Sequence, residues 1–198
     1  MTKLKIISTT AAFYVVFLLS LTNTFAQTQP KPQAETSYDV VLHILTASNN
    51  SGDKSSVPTT LSNVVKKLKT IYSFTNYRLD STFLQRVANN GNMEFKSVVN
   101  PTGQTQENSP PSFLDWSFYG LQSLPNAGGQ NLIQFQTFRF GQRISITTSP
   151  GVINYEQIGL TIQRFSMSEN VPTIIGSLST SNPNELTLLV LTVKPAQE

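Results

Sequence analysis

Residues 77–99 have the sequence YRLDSTFLQRVANNGNMEFKSVV. On both sides of Asn90-Gly91, apolar side chains recur at every second position, the alternation expected of β-strands. Asn-Gly favours a tight turn because both residues accept positive φ at low steric cost. The sequence therefore predicts a β-hairpin in which residues 77–87 pair with residues 93–99.

The two-residue period continues to the C-terminus. Residues 113–124 are predicted to pair with residues 131–146, and later strands are predicted over residues 152–168, 173–179 and 185–193. Runs containing Pro, Gly or Asn separate these strands, as turns require. Most of the chain after the first hairpin is therefore predicted to be antiparallel β-structure.

Upstream of the hairpin, the sequence predicts one strand and one helix. Residues 38–45 are apolar at nearly every position, as in a strand covered on both faces. An apolar stripe with helical spacing follows Pro58 and consists of Leu61, Val64, Val65, Leu68, Ile71 and Tyr72. The predicted fold class is α+β and mostly antiparallel β, with one amphipathic helix after the first strand and then a β meander, either sandwich-like or a partly closed barrel.

The N-terminal residues predict export. Lys3 and Lys5 precede an apolar run at residues 11–21, and Ala26 closes a small-residue cleavage site, so residues 1–26 are interpreted as a signal peptide. A run of eleven residues is short for a bilayer-spanning helix, which needs about 20. Cleavage is the favoured interpretation, and an uncleaved anchor is the alternative. The predicted location is periplasmic or extracellular.

Behind the signal peptide, the composition indicates a single domain. Residues 27–37 are interpreted as a flexible leader because they are rich in Gln and Pro. Residues 38–195 are predicted to form one β-rich domain, with a long loop at residues 100–111 that carries four Pro or Gly residues.

The charge and the cysteine content argue against several classes of function. Without Lys3 and Lys5 the chain has twelve basic and eleven acidic residues, a net charge of +1 that does not favour nucleic-acid binding. The chain has no Cys, so a disulfide framework and thiolate metal sites are excluded.

The sequence carries no recognisable catalytic pattern. His43 is the single imidazole and lies within an apolar predicted strand, where a structural, hydrogen-bonded histidine is the favoured interpretation. The carboxylates nearest to strand positions are Asp39, Asp80, Glu94, Asp115 and Glu156. Glycoside hydrolysis would need two carboxylates that face each other, and one sequence cannot show this. We therefore predict a non-enzymatic protein with no cofactor and no metal site.

Residues 134–143, QFQTFRFGQR, suggest a binding surface. Alternation places Phe138 and Phe140 on one face of a strand and Arg139 on the other. Aromatic residues and Arg are enriched at protein interfaces. Arg139, Phe140 and Arg143 are therefore the candidate partner-binding residues, and packing of one face into the core is the competing interpretation.

The C-terminal region resembles closing strands of bacterial secretins. The resemblance covers residues 158–195 and is carried by IGLTI, VPTIIGSL and ELTLLVLTVKP. Residues 38–84, interpreted as strand, helix and strand, are also similar to the small α/β modules of secretins. The resemblance assigns no functional residue, but it implies a component or accessory of a bacterial envelope apparatus.

Two further functions stay open beside the favoured one. The favoured prediction is an exported, non-catalytic module that binds an envelope protein complex, such as a secretion or pilus apparatus. The first alternative is a soluble β-barrel that carries a small apolar ligand or a lipid. The second alternative is a hydrolase that uses two strand carboxylates.

Overall fold

The computed structural model describes residues 36–50, 55–99, 111–126, 128–149, 152–179 and 182–197. Of the two units into which the chain divides, residues 1–34 and 35–198, all of these belong to the second. The predicted signal peptide and most of the predicted loop, residues 100–110, lie outside the described residues.

The described chain contains nine strands and one α-helix. In chain order the elements are β1 (Ser37–Ser48), a 3-10 turn (Thr59–Leu61), α1 (Ser62–Ile71), β2 (Asn76–Ala88), β3 (Met93–Val99), β4 (Ser112–Tyr119), β5 (Gln122–Leu124), β6 (Leu132–Ser149), β7 (Val152–Ser168), β8 (Thr173–Ser179) and β9 (Glu185–Pro195).

The strands form two antiparallel sheets. Sheet A has the order β2-β1-β9-β8, and its first and last strands in sequence are neighbours at its centre. In sheet B, β3, β4, β6 and β7 lie side by side. The short strand β5 also pairs with β6, next to the part of β6 that pairs with β4. The predicted pairing of residues 113–124 with residues 131–146 is confirmed by these ladders.

The main core lies between the two sheets. It takes the apolar side chains of one face of each sheet, including Val40 and Leu42 from sheet A and Trp116, Phe118 and Phe138 from sheet B. The three aromatic side chains of sheet B are fully buried. Their rings contact one another at offset or tilted angles, with 6.1 Å between the Trp116 and Phe118 centroids. Side chains therefore fill the space between the sheets.

Helix α1 covers part of the opposite face of sheet A. Leu61, Val64 and Leu68 are buried there in a second apolar cluster with residues of β1, β2 and β9. These are three of the six residues of the predicted apolar stripe, and Val65 and Tyr72 pack against the same cluster while partly buried. Ile71 departs from it and is 57% exposed. The reason is that α1 ends at Ile71 and the backbone becomes extended at Tyr72, so Ile71 lies at the end of the helix.

The predicted hairpin of residues 77–87 with 93–99 is wrong, although its turn forms. Asn90 has a φ of 63°, and the Gly91 N–H donates to the Ala88 oxygen at 2.9 Å. However, β2 pairs with β1 in sheet A, and β3 pairs with β4 in sheet B. Phe83 of β2 and Phe95 of β3 instead meet in the core, with ring centroids 5.2 Å apart. The turn is thus a corner between the sheets.

The predicted fold class is confirmed. The described chain is mostly antiparallel sheet, it has a single α-helix that follows the first strand, and its two sheets pack as a sandwich without closing into a barrel. Among the described residues, no helix is long and apolar enough to cross a membrane.

Candidate functional site

The longest hairpin of the molecule extends past the rest of sheet B. Strands β6 and β7 pair from Leu132 with Ser168 to Ser149 with Val152. Strand β4 accompanies β6 only as far as Arg143, which lies opposite Phe113. In the described part of the chain, residues 144–149 and 152–156 therefore form a two-strand ribbon, which we call the arm.

The arm exposes apolar side chains. Val152 and Ile153 are each 48% exposed, and Tyr155 is 45% exposed. Nine large apolar side chains are exposed in the described part of the chain, and these three lie within four consecutive positions. Scattered exposed apolar residues are normal, whereas a concentration of them marks an interaction surface.

The arm continues a solvent-facing side of sheet B, which we call the outer face. Its residues alternate along each strand with the buried core residues, and the strand registers place them in cross-strand rows. The rows that the site uses are Glu94-Ser117-Arg139-Thr161, Lys96-Asp115-Gly141-Gly159 and Val98-Phe113-Arg143-Gln157, with Ser145-Tyr155 following on the arm.

A groove of about 330 Å³ opens on the outer face between β3, β4 and β6. Its lining includes Lys96, Val98, Phe113, Asp115 and Arg143. Arg143 lies over the Phe113 ring, with its guanidinium carbon 5.5 Å from the ring centroid. The Tyr155 ring also packs against Phe113, with 5.7 Å between the two ring centroids. The groove thus combines aromatic surface with a positioned guanidinium group.

Opposite charges alternate across the outer face. The Lys96 ammonium donates to Glu94, with Nζ 2.7 Å from Oε1. This hydrogen bond, together with the charges of Lys96 and Arg139, holds the pKa of the Glu94 carboxyl below its ordinary value. The same bond raises the pKa of Lys96. Among the described residues, neither Arg139 nor Arg143 has a carboxylate within ion-pair distance.

The structure separates the three predicted partner-binding residues. Arg139 and Arg143 are exposed on the outer face. Phe140 lies on the opposite side of β6, is 2% exposed and belongs to the core between the sheets. Phe140 therefore supports the outer face from beneath and does not line it.

Sequence reasoning did not single out Tyr155. Its position on the arm follows from the pairing of β6 with β7, which sets Tyr155 opposite Ser145. Alternation then puts Tyr155 on the same face as Ile153 and Gln157. Tyr155 can therefore be placed on this face only once the register of β6 and β7 is known.

The groups considered for catalysis are distributed over both sheets. His43 lies on sheet A, its Nδ1 is 2.9 Å from the Thr82 hydroxyl oxygen, and burial lowers its pKa. Asp39 accepts two hydrogen bonds from Arg86, and Asp80 forms an ion pair with Arg78. Within the described ranges, no three His, Cys, Asp or Glu side chains group as metal ligands.

Comparison with known proteins found similarity only among solved structures. No protein-family model matches the chain, and no curated protein matches it. The chain is similar to the type IV competence pilus secretin PilQ of V. cholerae, with 8% identity, a TM-score of 0.42 and coverage of 84% of this chain and 62% of that one. It is also similar to the type III secretion injectisome secretin InvG of Salmonella, with 11% identity, a TM-score of 0.39 and coverage of 95% and 66%.

A third similar structure is the secretin GspD in a pilotin-secretin complex of ETEC. Its identity is 10%, its TM-score is 0.40, and the match covers 92% of this chain and 53% of that one. The chain therefore spans between about half and two thirds of the length of these three secretin chains.

Proposed function

We propose that this chain is an exported, non-catalytic module that binds a protein partner of the cell envelope through the outer face of sheet B and the arm. The observation that carries the proposal is the exposure of Ile153 and Tyr155 on one face of the arm, with the Tyr155 ring against Phe113 of the groove. Removing such aromatic and aliphatic surface from water favours formation of a complex. Exposed Arg at the rim adds specificity.

The exposed edge of the arm supports the same function. Strand β7 is an edge strand of sheet B, with only β6 bonded to it among the described strands. Between Val152 and Gln163 it carries one charged residue, Glu156, and no Pro. Edge strands without such protection pair readily with strands of other chains. A partner can therefore combine backbone pairing at β7 with side-chain contacts on the outer face.

The non-catalytic part of the proposal rests on how the acidic groups are used. Three of the five carboxylates considered above are in ion pairs: Asp39 with Arg86, Asp80 with Arg78 and Glu94 with Lys96. A hydrolase needs a carboxylate positioned for proton transfer, with another opposite it. The envelope location and the secretion or pilus apparatus as partner class come from the sequence of residues 1–26 and 158–195.

The carrier alternative gains no support from the core. Large side chains, among them Trp116, Phe118, Phe135 and Phe138, are fully buried between the sheets. A carrier of an apolar ligand would use this region as its cavity.

The proposal is tested by affinity capture with variants. The tagged mature domain is incubated with gently solubilised envelopes of its source cell, and bound proteins are identified by mass spectrometry. We expect wild type and Lys69→Gln, whose substitution lies on α1, to recover the same defined proteins. Tyr155→Ser and Arg143→Glu are expected to lose most of that recovery while keeping wild-type circular dichroism. Equal recovery by all four proteins would rule out the outer face and the arm as the binding surface.

A further inference from the structure

Two arginines on the outer face can bind two groups of one ligand that are held a fixed distance apart. Arg139 and Arg143 are four residues apart on β6 and face the same side. At about 3.3 Å per residue, their Cα atoms are about 13 Å apart along the strand. An extended chain has the same rise, so residues i and i+4 of a segment lying along β6 match this spacing.

Between the two arginines the outer face has no side chain on β6 or β7. Gly141 and Gly159 are cross-strand partners there. The Asp115 carboxylate lies over Gly141, and a Cβ built on Gly141 would come within 2.9 Å of its Oδ1. The Asp115 carboxylate therefore occupies the space above Gly141 and favours a hydrogen-bond donor, such as Ser or Thr, at residue i+2 of the segment.

The charges of the outer face favour acidic residues at i and i+4. Glu94 and Lys96 neutralise each other through their ion pair. Arg139, Arg143 and Asp115 remain outside the described ion pairs, which leaves an excess of one positive charge. Arg143 is further positioned by the Phe113 ring beneath it. A guanidinium held in place loses less side-chain entropy when it binds a carboxylate.

We propose that the protein partner contributes an extended segment that lies along β6, with acidic side chains four residues apart bound to Arg139 and Arg143 and a small hydroxyl side chain that donates to Asp115 between them. This inference rests on the proposed function, since it names the chemistry of the partner at that same surface.

Fluorescence anisotropy with two isomeric peptides tests the inference on the mature chain. The first probe is fluorescein-labelled Gly-Ser-Glu-Tyr-Thr-Tyr-Glu-Ser-Gly, in which the two glutamates are four residues apart. The second has the same composition with adjacent glutamates, which point to opposite sides of an extended chain. We expect wild type to bind the spaced peptide about threefold more tightly, the value of one additional exposed ion pair.

Substitutions in the protein show which residues cause the preference for the spaced peptide. Arg139→Gln and Arg143→Gln are each expected to abolish the preference for the spaced peptide, and Lys69→Gln, which removes a positive charge from α1, is expected to retain it. Equal binding of the two isomers, or binding of neither, overturns the inference. Loss of binding to phosphatidylglycerol vesicles in the two Arg variants, without a peptide preference in wild type, would reassign the arginines to a membrane surface.

Failure of this inference is distinguishable from failure of the proposed function. If affinity capture depends on Tyr155 but wild type binds the two peptides equally, the acidic segment is overturned and the proposed function is retained. A peptide preference without any captured partner overturns the proposed function and supports the peptide site.

Discussion

At the scale of single residues, neighbours in sequence have opposite roles. Arg139 and Phe140 are adjacent on β6, but alternation sends Arg139 to the outer face and Phe140 to the core. The sequence predicted this alternation and still could not tell which face was buried, because both faces of residues 134–143 carry Phe. The buried face of β6 is the one that packs against sheet A, whose apolar residues lie far away in sequence.

The first prediction is that substitutions of Phe140 and of Arg139 change the free energy of unfolding by different amounts. Phe140→Ala should lower the free energy of unfolding by about 3–5 kcal/mol, because it leaves a cavity in a packed core. Arg139→Ala and Arg143→Ala should change it by less than about 0.5 kcal/mol, since both side chains are exposed. Urea unfolding measures all three. A small effect of Phe140→Ala would place that ring outside the core.

The second prediction concerns a buried hydroxyl. The Tyr77 hydroxyl is buried and has no hydrogen-bond partner among the described residues, and burial raises the pKa of Tyr77. Tyr77→Phe should therefore stabilise the domain by up to about 1 kcal/mol, because a buried unpaired polar group is removed. Tyr72→Phe is the matched control. It loses a hydrogen bond of 3.2 Å to Ser177 and should destabilise by about 0.5 kcal/mol. The reverse order in urea unfolding would contradict the prediction.

At the scale of elements, strand positions could be predicted from the sequence and strand partners only in part. Alternation and turn residues are local signals, so the helix, most strands and the pairing around residues 125–131 were correctly predicted. A turn forms at residues 88–91, but of Asn90 and Gly91 only Asn90 has a positive φ, and the Asn90 N–H and the Gly91 C=O bond to Leu121. Phe83 and Phe95 meet in the core between the sheets, whereas β2 and β3 belong to different sheets. Which strands pair with one another therefore depends on contacts throughout the core.

The third prediction concerns the arm. Its two strands extend past the last β4 pair, Phe113 with Arg143, so its described hydrogen bonds join only two strands. Two-strand ribbons are marginally stable without further support. Backbone amides of residues 144–149 should therefore exchange with deuterium faster than those of residues 137–143 on the same strand. Mass spectrometry after short deuterium pulses measures both segments, and equal protection would show that the arm is supported elsewhere.

At the scale of the whole molecule, the two sheets are covered differently. Sheet A carries α1 on one face and the core on the other, whereas no described helix packs on the outer face of sheet B. The apolar arm extends from this uncovered side. Under the proposed function, this asymmetry favours partner binding at sheet B, where the face opposite the core is free of a described helix. The sequence predicted one helix but could not assign it to a sheet, because the order of strands was unknown.

The fourth prediction is a pH dependence of global stability. The Arg86 hydrogen bond and charge lower the pKa of Asp39 below its ordinary value of 3.8. A carboxyl with a lowered pKa stabilises the folded state above that value, and the contribution is lost as the pH falls through the folded pKa. Arg86→Gln should therefore be less stable than wild type at pH 7, and the difference should shrink below about pH 4.

Urea unfolding of both proteins between pH 7 and pH 2.5 measures this difference. His43, whose lowered pKa reduces stability as the pH falls through 6.5, is present in both proteins and cancels. A constant difference between the two proteins down to pH 2.5 would contradict the role of the Asp39-Arg86 pair.

The most direct test of the central claim is site-specific photocrosslinking in the source cell. A benzoylphenylalanine is placed at Tyr155 on the arm or, as a control, at Lys69 on α1, both in the full chain. We predict that irradiation joins the Tyr155 position to a defined envelope protein and that the Lys69 position gives no such product. Crosslinks from Lys69 with none from Tyr155, or no crosslinked protein at either position, would contradict binding through the outer face and the arm.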